Sequence, residues 1–229
     1  MEFDATVIDI IAETADTKTF RFTRPAEFSF VPGQFVNVTL CVSGGRRAHR
    51  AYSIASSPLE TQLDLTVRRL PGGLVSKILH DEITVGQRLS LKGPYGRFLL
   101  EDQRLVWIAG GSGIVPFRSM WRYIDQKALS TGFLLLYAVR DIDHLIYRSE
   151  LNALLQRGKN IFYTLTGEAP TGWTGFRGRI HRAMLTTVVS DFSQTLFYAC
   201  GPPAMCESIT RDLSELGVPR ASIRLEKYD

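Results

Sequence analysis

The sequence predicts two domains of different class: a six-stranded antiparallel β-barrel over residues 1–101 and a parallel α/β sheet over residues 102–229. Short runs rich in Val, Ile, Thr, Phe and Leu, punctuated by turn signals, fill the first part. Continuous apolar strands alternating with amphipathic segments fill the second. Between them lies the polar run Glu101-Asp102-Gln103-Arg104, the character expected of a domain junction.

Strands are expected at 5–11, 17–24, 35–40, 51–54, 63–69 and 88–91. Asp16, Pro32-Gly33, Gly44-Gly45, Pro71-Gly72-Gly73 and Gly93-Pro94 separate them. Within the fourth strand, Arg50-Ala51-Tyr52-Ser53-Ile54 places Tyr52 and Ile54 on one face and Ala51 and Ser53 on the other. A forked cation, a flat ring and a hydroxyl on one short strand suit a large flat cofactor with a pyrophosphate tail. The segment Thr66-Val67-Arg68 leads to Gly72-Gly73, after which Leu74-Val75-Ser76 opens a helix with apolar spacing at 74, 75, 78 and 79. Its first amide N–H groups form an anion site, to which Ser76 adds a hydroxyl. Residues 93–98 read as a structural turn.

In the second part, strands are expected at 105–109, 133–139, 161–165, 195–199 and 223–225, and helices at 115–127, 148–157, 180–188 and 203–216. The first strand runs into Gly110-Gly111-Ser112-Gly113-Ile114-Val115-Pro116, at the position where Rossmann-like sheets bind nucleotides. Pro116 stands where the usual fingerprint has its third glycine, and a proline there still favours a helix start. Another strand ends in Cys200-Gly201-Pro202 ahead of a helix and has the same physics. Arg140, just past the strand 133–139, is a cation at the edge of the sheet, suited to an anionic group.

No apolar run is long enough to span a bilayer, and the N-terminus lacks a signal-peptide pattern. Three cysteines supply neither a disulfide framework nor an iron–sulfur spacing, so no metal is expected and a reducing cytoplasm is the default. Cys41 and Cys206 match no motif and are expected to fill space. The net charge is +4, and Arg46, Arg47, Arg50, Arg68, Arg69 and Lys77 cluster near the cofactor segments, a basic rim suited to an acidic protein or an anionic cofactor. No nucleic-acid motif is present.

Taken in order, these segments resemble the ferredoxin–NADP reductase family. Arg50-x-Tyr52-Ser53 is similar to its flavin signature, and residues 66–76 to its second pyrophosphate segment. Gly110-Gly111-Ser112-Gly113-Ile114 resembles its nicotinamide-nucleotide loop, and Cys200-Gly201-Pro202-x-x-Met205 the Cys-Gly-Pro-x-x-Met beside the reacting carbon. Glu226-Lys227-Tyr228-Asp229 resembles a C-terminus in which an aromatic covers the flavin, although Asp229 departs from it by following the aromatic. The resemblance implies an enzyme that binds FAD and uses NADH or NADPH as co-substrate. Arg50 would meet the pyrophosphate, Tyr52 would stack on the flavin and Ser53 would contact its reactive nitrogen. Cys200 would position the nicotinamide, Glu226 would relay a proton or hydrogen-bond the site, and Tyr228 would act as a gate.

The implied activity is electron transfer from NAD(P)H through FAD to a separate acceptor, an acidic ferredoxin-like protein or an oxygenase component. Alternatives with the same core are a flavin reductase, a cytochrome b5-type reductase, an electron-transfer subunit of a larger complex, and a binding module that has lost the flavin. Thr166-Gly167 stands where NADPH users of the family carry Ser-Arg, which leans towards NADH, with Arg177 and Arg179 as nearby cations.

Overall fold

The computed structural model describes residues 1–228, the side chain of Ser43 excepted. The first part forms β1 (Glu2–Thr14), β2 (Thr17–Thr23), β3 (Phe35–Val42), β4 (Arg46–Ser53), β5 (Gln62–Arg68), α1 (Leu74–Asp81) and β6 (Arg88–Tyr95). The strands pair antiparallel in the order β4-β3-β6-β1-β2-β5. The two end strands meet at an antiparallel bridge between Ile54 and Leu65, which brings the sheet round on itself. Alternation explains the interior: Val36, Val38 and Leu40 of β3 point into a core shared with Phe20, Phe22, Leu63 and Leu65, while Asn37 and Thr39 face away.

Strands of this sheet differ from the sequence reading: β4, expected at 51–54, starts at Arg46, and β6 runs past its expected end. Residues 93–95, expected in a turn, belong to β6, where Tyr95 pairs with Phe35 at a ring separation of 5.7 Å. A register shift between Phe35 and Asn37 accommodates Pro94, which has no N–H to give the ladder.

The second sheet contains β7 (Arg104–Gly110), β8 (Phe133–Val139), β9 (Asn160–Leu165), β10 (Phe176–Arg177), β11 (Thr195–Gly201) and β12 (Ile223–Lys227). All pair parallel, in the order β10-β9-β8-β7-β11-β12. Between strands run α2 (Val115–Gln126), α3 (Arg148–Gln156), α4 (Arg182–Val188) and α5 (Pro203–Glu215). Met184 and Leu185 of α4 and Ile209 and Leu213 of α5 bury one face of the sheet against Val106, Ile108, Phe197 and Ala199. The two-residue strand β10 is too short to show any period in sequence.

The chain forms two compact units, one of Met1–Leu100 with Val115–Leu129, the other of Glu101–Ile114 with the chain from Ser130 on. Helix α2 belongs to the first because its polar side chains reach β5 and the loop before it: Arg118 Nη1 donates to Asp64 at 3.1 Å, and Arg122 Nη1 donates to Glu60 at 3.0 Å.

Candidate functional site

Three arginines near the β4–β5 segments are sorted by their partners. Arg68 Nε donates to Asp16 at 2.7 Å. Asp16 is itself fixed by the hydroxyls of Thr14 and Thr17. Arg69 makes a two-pronged contact with Asp81, at 3.0 and 2.9 Å. Arg50, opposite Val38 on β4, is exposed, and its side chain makes no hydrogen bond or ion pair with any described residue. Of these three, Arg50 therefore keeps its charge uncommitted.

Tyr52 is half-buried and packs on the barrel core. Burial pushes its hydroxyl up to about 12, with the Arg50 charge pulling the other way, so the ring is a neutral phenol across the physiological range. Ser53 is only 5% exposed and pairs with Phe35, while Ala51 is exposed opposite Asn37. Strand alternation thus gives Arg50 and Tyr52 one side and Ala51 and Ser53 the other.

On β5, the Thr66 and Thr19 hydroxyls lie 2.7 Å apart, and the Val67 carbonyl meets His80 Nε2 at 2.8 Å. This second contact ties the C-terminal turn of α1 to β5. At the other end, Gly73 is the N-cap of α1 and no side chain caps the helix, which leaves its first N–H groups available. Leu74 is exposed, while Val75 and Ser76 are buried. The Ser76 hydroxyl accepts from the Leu70 N–H at 3.2 Å and so closes the loop from inside.

In the second unit, β7 and β11 are neighbours, and both end in glycine loops. A Cβ on Gly113 would lie 2.0 Å from the Cys200 carbonyl oxygen and 2.8 Å from the Gly201 nitrogen. Gly201, at φ 152°, packs on the Gly110 backbone, where an added Cβ would lie 3.2 Å away. The two loops therefore meet backbone to backbone, a contact that side chains would prevent. The Tyr137 hydroxyl donates to the Gly111 carbonyl at 3.0 Å and steadies the first loop, on which Ser112 is half-exposed. Pro202 is exposed and forms the N-cap of α5.

Cys200 is fully buried and pairs with Glu226 of β12. Burial raises its thiol well above the usual range, the nearby Glu226 charge acts in the same sense, and a hydrogen bond with the Tyr228 side chain opposes both. Tyr228 is held from its backbone as well, its N–H donating to the Gly201 carbonyl at 3.0 Å. Cys200, Glu226 and Tyr228 thus come together at one end of the parallel sheet. Cys206 is buried, its thiol 3.6 Å from both the Gly201 and the Glu226 carbonyls. Cys41, by contrast, is exposed on β3 and fills no space.

Arg140 is 74% exposed and lies 3.6 Å from Asp141. Its carbonyl accepts from the Gly167 N–H at 2.8 Å, so the Thr166-Gly167 corner rests directly on Arg140. Arg177 and Arg179 are exposed.

Asp64, Arg118 and Ser119 are given no site role by the sequence reading, although Arg118 and Ser119 close the segment that resembles the nicotinamide-nucleotide loop. Their signal in sequence is a lone acid in the apolar run Leu63-Asp64-Leu65 and a lone arginine in an otherwise buried helical stretch.

An oxidoreductase FAD-binding domain model matches residues 4–99 and an oxidoreductase NAD-binding domain model matches residues 107–211. A glycine betaine monooxygenase reductase subunit of Pseudomonas aeruginosa is 34% identical over 96% of this chain and 63% of its own length. The chain thus spans under two thirds of that relative. Ferredoxin–NADP reductase B of Sorangium cellulosum is 34% identical over 88% of this chain and 86% of its own. In fold, the FAD/NAD-binding domain of a Vibrio cholerae nitric oxide dioxygenase superposes with a TM-score of 0.88 at 23% identity, covering 98% of both chains. The two domain models, in the order of the two sheets, and the 34% identity to a reductase over 86% of its length establish that this chain belongs to the ferredoxin–NADP reductase family of FAD- and NAD(P)-binding oxidoreductases.

Proposed function

We propose that the chain takes a hydride from NADH or NADPH onto FAD and delivers the electrons to a separate acceptor, a ferredoxin-like protein or an oxygenase component. The observation that carries this reading is the glycine-built meeting of the β7 and β11 loops, with the Cys200 thiol and the Tyr228 side chain beside it. On this reading residues 1–101 serve FAD and residues 102–229 serve the nicotinamide nucleotide.

The residues present fit an FAD. Arg50, with its charge uncommitted, would neutralise the pyrophosphate, and the uncapped N–H groups at Leu74, Val75 and Ser76, after Gly73, would donate to it. Tyr52 offers a neutral ring for stacking and Ser53 a hydroxyl for a ring nitrogen. Thr66, Val67 and Arg68 line the same segment, with Asp16 fixing the Arg68 fork. When bound, FAD supplies the chemistry: it takes the hydride and a proton, leaves the nucleotide oxidised, and gives up electrons one or two at a time.

Gly111, Ser112, Gly113, Gly201 and Pro202 cradle the dinucleotide through close backbone approach. Cys200 stays a protonated, compact thiol because burial opposes its ionisation, so it positions the nicotinamide and does not attack it. Tyr228 covers the site by its ring, and Glu226 accepts or returns a proton. Arg140 is the candidate for the adenosine ribose end. Thr166 and Gly167 stand where NADPH users of the family carry Ser-Arg, which favours NADH, and comparison of kcat/KM for the two nucleotides tests this; a strong NADPH preference would refute it.

The exposed arginines Arg46 and Arg47 favour an acidic acceptor protein, and the relatives named as oxygenase reductase components favour an oxygenase system. Free cysteines fit a reducing cytoplasm. No helix among the described residues is long and apolar enough to cross a membrane. Reduction of an acidic ferredoxin by this enzyme is expected to slow as ionic strength rises, read from stopped-flow traces across a salt series. A rate that is flat with salt would contradict the acidic partner.

A further inference from the structure

Arg118 sits in the first turn of α2, among the buried residues Val115, Phe117, Met120 and Trp121, and is itself only 3% exposed. Its guanidinium donates to Asp64, which is fully buried and also receives a two-pronged contact from Arg21, at 2.9 and 3.1 Å. One carboxylate thus joins β2, β5 and α2.

The same residues hold the chain immediately after the flavin strand. The Asp64 N–H donates to Ser56 Oγ at 3.0 Å, and the Asp64 carbonyl accepts from the Ala55 N–H at 2.8 Å. Ser119, next to Arg118, donates its hydroxyl to the Ser56 carbonyl at 2.7 Å, in a fully buried contact. Ser56 follows Ser53 by three positions, and α2 continues directly from the Gly111–Ile114 turn.

An ion network buried this deeply is a poor source of stability, because the desolvation of its charges offsets much of their attraction. What it supplies is a fixed geometry: the hydrogen-bond directions admit one register of α2 on residues 54–57, where an apolar contact would tolerate sliding.

The geometry points to Asp64, Arg118 and Ser119 as positioning residues for hydride transfer, a buried polar knot that fixes the end of the flavin strand to the helix issuing from the nucleotide loop. This inference rests on the function proposed above. None of the three needs to touch either cofactor; they act on the chain from Ser53 to Ser56 and on the first turn of α2.

Arg118→Met keeps the apolar stem and removes the fork. The FAD-loaded variant is expected to keep its flavin through gel filtration and to alter the visible circular dichroism of the bound flavin. Its flavin reduction at saturating NADH should be about ten- to a hundredfold slower, the scale set by small misplacements of reacting groups. The dissociation constant for NADH should hardly move, and Arg118→Lys should recover part of the rate. A folded, FAD-loaded Arg118→Met with the wild-type dichroism and the wild-type rate would overturn the inference. If that variant fails to fold, Ser119→Ala takes its place, since it deletes one hydroxyl and leaves the charges paired; unchanged dichroism and rate there would overturn the inference equally. Failure of the wild-type flavin to be reduced by either nucleotide is a separate result, which would remove the proposed function and this inference together.

Discussion

Arg50→Ala is expected to weaken FAD binding roughly 10–150-fold, from about 1.5–3 kcal/mol for a hydrogen bond to a charged group and about 1.4 kcal/mol per tenfold. The size of the effect follows from what its neighbours are already doing. Arg68 is held by Asp16 and Arg69 by Asp81, so neither is free to swing across and replace the lost charge. Arg50→Lys should fall between, because an ammonium keeps the charge and loses the fork. Arg50 is exposed and has no partner among the described residues, so the thermal midpoint of the FAD-free protein should stay where it is. Fluorescence titration with FAD measures the affinity, and equal retention of flavin by wild type and Arg50→Ala would count against the assignment.

Gly113→Ala is the second large effect. Its new methyl would stand 2.0 Å from the Cys200 carbonyl oxygen, a backbone atom that cannot rotate away. Overpacking of this kind costs about 1–3 kcal/mol, and relief requires the β7 and β11 loops to part. The urea midpoint should therefore drop, and binding of the oxidised nicotinamide nucleotide should weaken, while FAD remains bound. Gly132→Ala is the control, since a Cβ there meets nothing within 4 Å. If Gly113→Ala unfolds and binds nucleotide like Gly132→Ala, the close meeting of the loops is not what the site depends on.

Much of this was legible in the sequence, for physical reasons that differ along the chain. The strands of both sheets announce themselves because burial imposes a period: Val36, Val38 and Leu40 alternate with polar residues on a barrel strand, whereas 133–139 is apolar throughout because it sits inside a parallel sheet. The glycine loops were legible as candidate binding turns. What Gly113 presses against was not, since Cys200 lies far along the chain and only the β7–β11 pairing brings them together. Similarly, three arginines at positions 50, 68 and 69 look alike in sequence, and only the placement of Asp16 and Asp81 separates them.

The Asp64–Arg118 knot marks the other limit. Each residue breaks a local apolar pattern, which is visible, but the compensation for burying it comes from an element more than fifty positions away. Residues 93–95 were misread for the opposite reason: Gly-Pro is a strong local turn signal, and here the pairing of Tyr95 with Phe35 overrides it.

The most direct test of the whole account is the visible spectrum of the full chain after reconstitution with FAD, followed by addition of NADH or NADPH without oxygen. The account predicts a yellow protein whose flavin band bleaches when the nucleotide is added and returns when an electron acceptor is supplied. A protein that stays colourless after reconstitution, or one whose colour neither nucleotide removes, would contradict it.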